Sequence, residues 1–341
     1  MSRNILIILG NGFTIDFIQH MKCEDKIDVK NLFNLGAQVP WPGNNRLGFL
    51  SFKHCPNLWN LGARSTITTS ESLTLIEDII TCANMLNETK NISDKVYLRA
   101  YKELIQYLKA LFICYDQQLN LSDKNKIKLV KEWGWYKYFA SLNKNSEIDK
   151  VHIVTFNYDI WLERILKQLN VQYNIAGFES NNQYKFQIYK PHGSISFQSH
   201  IVKEKDAYDI DYSFDIVDDD ISKFSIKYDN ITPLTSINAL IPPAGDSNRL
   251  GFKWANTIRK EIDQMIKDIT INDELVICGI SYWHVDRLEL DHILGKIPID
   301  VSDVSVFNPS PPRALNAILT TFFLIVFITI EQPKLIRNIR V

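Results

Sequence analysis

Residues 5–9 form an unbroken apolar run, closed by Gly10, Asn11 and Gly12, and this constrains the chain more than any other feature. A strand with no polar–apolar alternation is buried on both faces, and a glycine turn directly after it leads into a helix, here over about 14–21. The pattern recurs. Residues 150–156 read as a strand followed by a helix over 160–169, and 236–241, 274–278 and 301–307 are three further short apolar strands. Helices over about 248–267 and 283–294 separate these last strands, while 184–228 alternate in a strand-like way between Asp-rich turns. Strand–helix alternation of this kind predicts an α/β fold, Rossmann-like, with a parallel sheet and helices on both faces.

Two stretches interrupt that rhythm. Residues 36–64 are rich in Gly, Pro, Asn and Trp without clear periodicity, which reads as a functional or mobile loop. Three helical patterns follow at 70–86, 93–119 and 122–142, a helical insertion of about 70–142 between the first strand and the next. At the far end, 314–330 carry no charge, which falls just short of the ~20 residues a bilayer-spanning helix needs. That segment reads as a buried final strand or helix, or an oligomer contact, with a membrane-associated tail as the alternative. The main domain is therefore placed at 1–312 and an apolar tail at 313–341.

Composition excludes some partners. The net charge is −1 and no lysine–arginine block stands out, so neither nucleic acid nor anionic membrane is an expected partner. The five cysteines are scattered with no C-x-x-C pair, which argues against a structural zinc site and for reduced thiols in a cytoplasm. The first apolar run is too short for the core of a signal peptide.

Ligands of open α/β sheets collect beyond the carboxyl ends of the strands, and the candidate residues fall there. Gly10, Asn11, Gly12 and Phe13 follow the first strand; glycines let a phosphate approach the backbone, although a tight turn alone would use them too. The third glycine of the dehydrogenase fingerprint is missing, since Ile15 stands there. Asn157 and Asp159 close the second strand: the amide can both donate and accept, and Asp159 equally suits a helix cap. His192, between Pro191 and Gly193, is the histidine in the most rigid setting and a candidate general base. Gly279 and Ser281, then Asn308, close two later strands.

Taken in order, LGNGF, TFNYD, KPHGS, the G-x-S strand end and the late asparagine resemble the sirtuin superfamily. The variants are most similar to bacterial sirtuin-like phage-defence proteins and the related abortive-infection AbiH family. The resemblance spans roughly 5–312 and implies NAD as substrate. Gly10 and Gly12 would line the pyrophosphate, with Asn11, Phe13 and Asp16 in the same cofactor-binding turn. Asn157 and Asp159 would hold the nicotinamide ribose and the attacking water, and His192 would be the base. Gly279, Ser281 and Asn308 would contact the adenosine half. The chain departs from sirtuin deacylases in lacking four zinc-binding cysteines, so no zinc is expected. It departs from AbiH-like relatives in having Thr14 where an Asp often follows GNGF, with Asp16 nearby.

The resulting expectation is an NAD glycohydrolase acting in abortive infection, restrained by a homo-oligomer or a partner protein. The rivals are an NAD-dependent deacylase, a non-enzymatic NAD or ADP-ribose sensor, and a membrane-active effector working through the tail. Seven aspartates between 206 and 220 read as a solvated hairpin edge, with divalent metal binding as the alternative. Trp41, Trp59 and Trp283 read as core residues; Trp41, in the long loop, is the best candidate to stack on a base, beneath a lid formed by 36–64.

Overall fold

The computed structural model describes residues 2–88, 95–178, 183–212, 216, 218–243, 251–282, 284–310, 312–329 and 333. Trp283, Asp215 and the end of the tail lie outside them. In chain order the elements are β1 (Arg3–Leu9), α1 (Asn11–His20), α2 (Pro56–Asn60), α3 (Thr69–Glu88), α4 (Val96–Leu119), α5 (Lys124–Glu132) and α6 (Gly134–Lys144). Then come β2 (Ile148–Thr155), α7 (Trp161–Gln168), β3 (Tyr173–Ile175), β4 (Phe186–Tyr189), β5 (Gly193–Ser199), β6 (Phe224–Ile226) and β7 (Asn238–Leu240). The chain closes with α8 (Lys253–Ile266), β8 (Glu274–Cys278), α9 (His284–Leu294), β9 (Asp303–Phe307), α10 (Arg313–Phe322) and β10 (Val326–Thr329).

A seven-stranded sheet in the order β10-β9-β8-β1-β2-β4-β3 forms the centre, and its pairings are all parallel. This is the Rossmann-like α/β architecture expected from the strand–helix alternation. β1 sits in the middle, pairing with β2 on one side and β8 on the other, which is why its last five residues are buried on both faces. One expectation needs correction: residues 236–241 do not join this sheet. β7 pairs antiparallel with β5, and β6 takes the other side of β5, making a small separate sheet.

The apolar segment beyond 312 continues the fold, α10 crossing over and β10 pairing parallel with β9. Among the described residues no helix is long and apolar enough to cross a membrane.

The insertion between β1 and β2 is helical as expected, although its third pattern divides at Trp133 into α5 and α6. Its aromatic residues pack onto α1. Phe13 lies 5.1 Å from Trp133 and 5.4 Å from Trp135, ring centre to ring centre, and Phe17 lies 4.6 Å from Trp133. Such pairs add about 0.5–1.5 kcal/mol each beyond their buried area.

Residues 56–58, at the start of α2, are tied to the helical insertion. Both carboxylate oxygens of buried Glu103 on α4 accept from the start of α2, from the backbone N–H groups of Asn57 and Leu58. Trp41 is buried and stacks on His54 at 4.0 Å, and Trp59 carries Arg64 over its ring. Among the described aspartates of 206–220, Asp218 caps α8 by accepting from the N–H of Lys253. No described group of His, Cys, Asp and Glu is arranged to hold a metal ion.

A second charged residue of α4 is buried. Lys109 donates to the carbonyls of Ile195 and Phe197 in β5, at 2.7 and 3.0 Å, and so ties the insertion to the small sheet. Burial lowers its pKa from 10.5 to about 7. The folded amine therefore binds its proton less tightly than the unfolded one, and stability gains with pH between about 7 and 10.5. Lys109→Met is expected to remove that component. The check is urea denaturation of both proteins across this pH range; parallel slopes would show that the amine stays charged in the fold.

Candidate active site

Five adjacent strands of the parallel sheet, β4, β2, β1, β8 and β9, end on one side of the molecule, and the loops that follow them surround a cavity of about 750 Å³. The crevice opens where the chain reverses its direction of strand addition at β1, the position at which doubly wound sheets take ligands. The structure brings ten of the eleven candidate residues to this cavity: Gly10, Asn11, Gly12, Asp16, Asn157, Asp159, His192, Gly279, Ser281 and Asn308. Phe13 is the exception. It turns into the aromatic core against Trp133 and Trp135, because the third residue of a helix starting at Asn11 faces the sheet side.

The glycines act first on each other. Gly12 donates to the carbonyl of Gly279 at 2.9 Å, and Gly10 donates to Cys278 at 2.9 Å. A methyl group on Gly12 would sit 2.4 Å from the Cα of Gly279, and Gly279 itself has φ +63. Two bare Cα atoms let the loops after β1 and β8 lie in direct contact and form the floor of the crevice. Their backbone donors are thus used within the protein, a role that the sequence pattern alone does not separate from phosphate binding.

Asn157 and Asp159 follow β2. The Asn157 amide donates to the carbonyl of Gly10 at 3.0 Å, which joins the loops after β1 and β2. The Asp159 carboxylate accepts from the Thr14 hydroxyl at 2.6 Å and from the N–H of Trp161, the first residue of α7, at 3.1 Å. Asp159 is therefore a helix cap and an anchor for α1, in addition to lining the cavity. Thr14 is the donor this arrangement requires, whereas an aspartate in its place would set two carboxylates against each other. Burial pushes the Asp159 carboxyl up, against the opposing pull of the Lys190 ammonium. Lys190 donates to the Asp159 carbonyl at 2.5 Å and pairs with Glu163 at 2.9 Å, both side chains almost wholly buried.

His192 lies between β4 and β5 with 1% of its surface exposed, its ring 5.0 Å from that of Phe156. Gly193 at φ +83 makes the turn, and a methyl there would collide with the carbonyl of Ala239 in β7. Imidazole Nε2 is hydrogen-bonded to Glu289 of α9, whose other carboxylate oxygen accepts from Arg259 of α8. Burial would raise the Glu289 carboxyl, but the charges and hydrogen bonds of His192 and Arg259 outweigh it and hold the pKa at about 2. Neither Glu289 nor Arg259 stands out in the sequence, because helix packing, not local spacing, brings them together.

The helical insertion supplies part of the wall, through Thr69 and Leu73 of α3, Phe112 of α4 and Trp135 of α6. No motif marks these residues. Residues 36–64, including Trp41, do not line the cavity. At the β9 end, Asn308 donates to the carbonyl of Ile280 at 2.9 Å and accepts from the N–H of Ser310, fixing the rim.

The cavity thus has a polar end at β2 and β4, with a neutral amide, an imidazole backed by a carboxylate and a buried carboxyl. Its remaining walls mix aromatic side chains and glycine and asparagine turns with Asp16, Gln19 and Lys30. The volume lies within the ~300–1,000 Å³ usual for small-molecule sites. Against known protein families, residues 151–290 match the SIR2-like domain, whose members use NAD. The match begins in β2 and ends in α9, so it includes Asn157, Asp159, His192, Gly279, Ser281 and Glu289 but not the turn after β1 or Asn308. No curated protein matches the chain.

Proposed function

We propose that a chain with a SIR2-like segment built around this cavity binds NAD and cleaves its nicotinamide–ribose bond with water. The observation that carries the reading is the placement of Asn157 and His192 at neighbouring strand ends of one cavity, within the matched segment. Nicotinamide is already cationic in NAD, so it departs as a neutral base with little acid catalysis. The site's task is to stabilise an oxocarbenium-like ribose and to present a water. The Asn157 amide orients that water without adding charge, and His192 accepts its proton. The C1′–N bond breaks with its electron pair going to nicotinamide, a C1′–O bond forms, and the proton passes from His192 to solvent. Asp159 holds the frame through Thr14 and Trp161. Asn11 and Asp16 border the pyrophosphate side, and Gly279, Ser281 and Asn308 the adenosine side. In the cell the output is NAD depletion during phage infection.

The test is chromatographic product analysis of NAD incubated with the full chain, repeated with an acyl-lysine peptide and in lysate from phage-infected cells. ADP-ribose and nicotinamide in equal amounts, without peptide, is the expected result. Turnover only with the peptide would make it a deacylase. Saturable NAD binding with no turnover in any of the three conditions would leave a sensor and sink the hydrolase reading.

A further inference from the structure

We infer that Glu289 is a positioning residue for His192, with Arg259 as its anchor, so that the base of the site is a three-residue unit assembled from the turn before β5, α9 and α8. The inference rests on the reading of His192 as the base and adds what makes the imidazole competent.

The geometry argues against a merely solvated contact. His192 is 1% exposed and the Glu289 side chain 13%, and the partners lie 97 residues apart in sequence. A carboxylate only accepts, so the hydrogen in this contact belongs to Nε2, and the lone pair of the neutral ring is on Nδ1. When Nδ1 takes a proton from water, the imidazolium forms in a buried place and needs a counter-charge already in position. Glu289 supplies that charge and fixes the tautomer, the roles a buried carboxylate has toward the histidine of a hydrolytic triad. Arg259 keeps the carboxylate oriented by binding its second oxygen.

Two further charged residues described at this end of the cavity have partners of their own. Asp159 lines the same cavity with its oxygens accepting from Thr14 and Trp161, and Lys190, two residues before His192, is paired with Glu163. Arg259 bound to its second oxygen keeps the Glu289 carboxylate in place as the counter-charge, and the contact with His192 pulls its carboxyl below the ordinary range against the effect of burial.

A purely structural clamp would make the same contacts, and Glu289→Gln separates the two roles. Glutamine has nearly the same shape and carries no charge; its single carbonyl oxygen can accept from Nε2 only by turning its NH2 toward Arg259, so the ¹⁵N tautomer readout also reports which contact it keeps. The measurement is a pH 5–9 titration of ¹⁵N-histidine-labelled full-length protein, with the His192 signals identified by their loss in His192→Ala. It is paired with kcat and KM for NAD over the same range. In Glu289→Gln the imidazole midpoint is expected to fall by about one pH unit or more, and kcat by about 10²-fold, with KM little changed. Arg259→Met is expected to shift both in the same direction by less. An unchanged imidazole midpoint and tautomer in Glu289→Gln would overturn the inference, as would a shifted midpoint with unchanged kcat. If the midpoint shifts in a protein whose wild type cleaves no NAD, the positioning stands and the hydrolase reading is what fails.

Discussion

His192→Ala is expected to lower kcat for NAD cleavage by about 10²–10⁴-fold, or roughly 3–5 kcal/mol of transition-state stabilisation, with NAD affinity within a few-fold of wild type. The side chain is buried at the polar end of the cavity, so its loss removes the proton acceptor and leaves Glu289 with Arg259 alone. Asn157→Ala is expected to cost a similar factor through the unplaced water. Its structural penalty is small, because the carbonyl of Gly10 still accepts from the N–H of Phe13. Single-turnover product formation, NAD binding by calorimetry and thermal denaturation together separate these effects. Full turnover in both variants would show that the reaction runs elsewhere.

Glu163→Ala is expected to destabilise the fold by about 3–5 kcal/mol, because it takes from the buried Lys190 ammonium the carboxylate it is paired with, leaving only the more distant Asp159 to offset its charge. Lys190 also holds the Asp159 carbonyl, so the damage reaches the loop that carries Asn157. The pair as a whole is a different matter, since desolvation offsets most of the attraction between two buried charges. The double variant Glu163→Leu, Lys190→Met should therefore recover more than half of the lost stability. Urea midpoints of the three variants check this. A double variant no better than Glu163→Ala would show that Lys190 acts mainly through Asp159.

The order in which β1, β2, β8 and β9 meet their turns could be read from apolar runs ending in glycine or asparagine, and those ends carry the site. What could not be read depends on contacts across the chain. β3, only three residues long, has a buried Asn174 in its middle, which breaks the apolar pattern. β7 has the composition of a central strand, yet the direction of its pairing is set by the return of the chain after β6. Phe13 sits among motif residues but faces the core, since a helix starting at Asn11 rather than 14 rotates it inward. Trp41 follows the same logic, buried against Phe49 and His54 of its own loop and Tyr208 from far along the chain. Glu289 and Arg259 are ordinary surface-type residues in sequence and become a unit only through the packing of α8 and α9. Local periodicity identifies which face is buried; it does not identify which distant charge meets it.

The central place of β1 also governs when the cavity can come into being during synthesis. β1 leaves the ribosome before its neighbours, and the loop after it must wait for Asn157, 147 residues beyond Gly10, while its other neighbour brings Glu274, 271 residues beyond Arg3. At roughly 5–20 residues per second the second partner follows by about ten to fifty seconds. A nascent chain therefore holds no assembled crevice until β8 has been made and paired with β1.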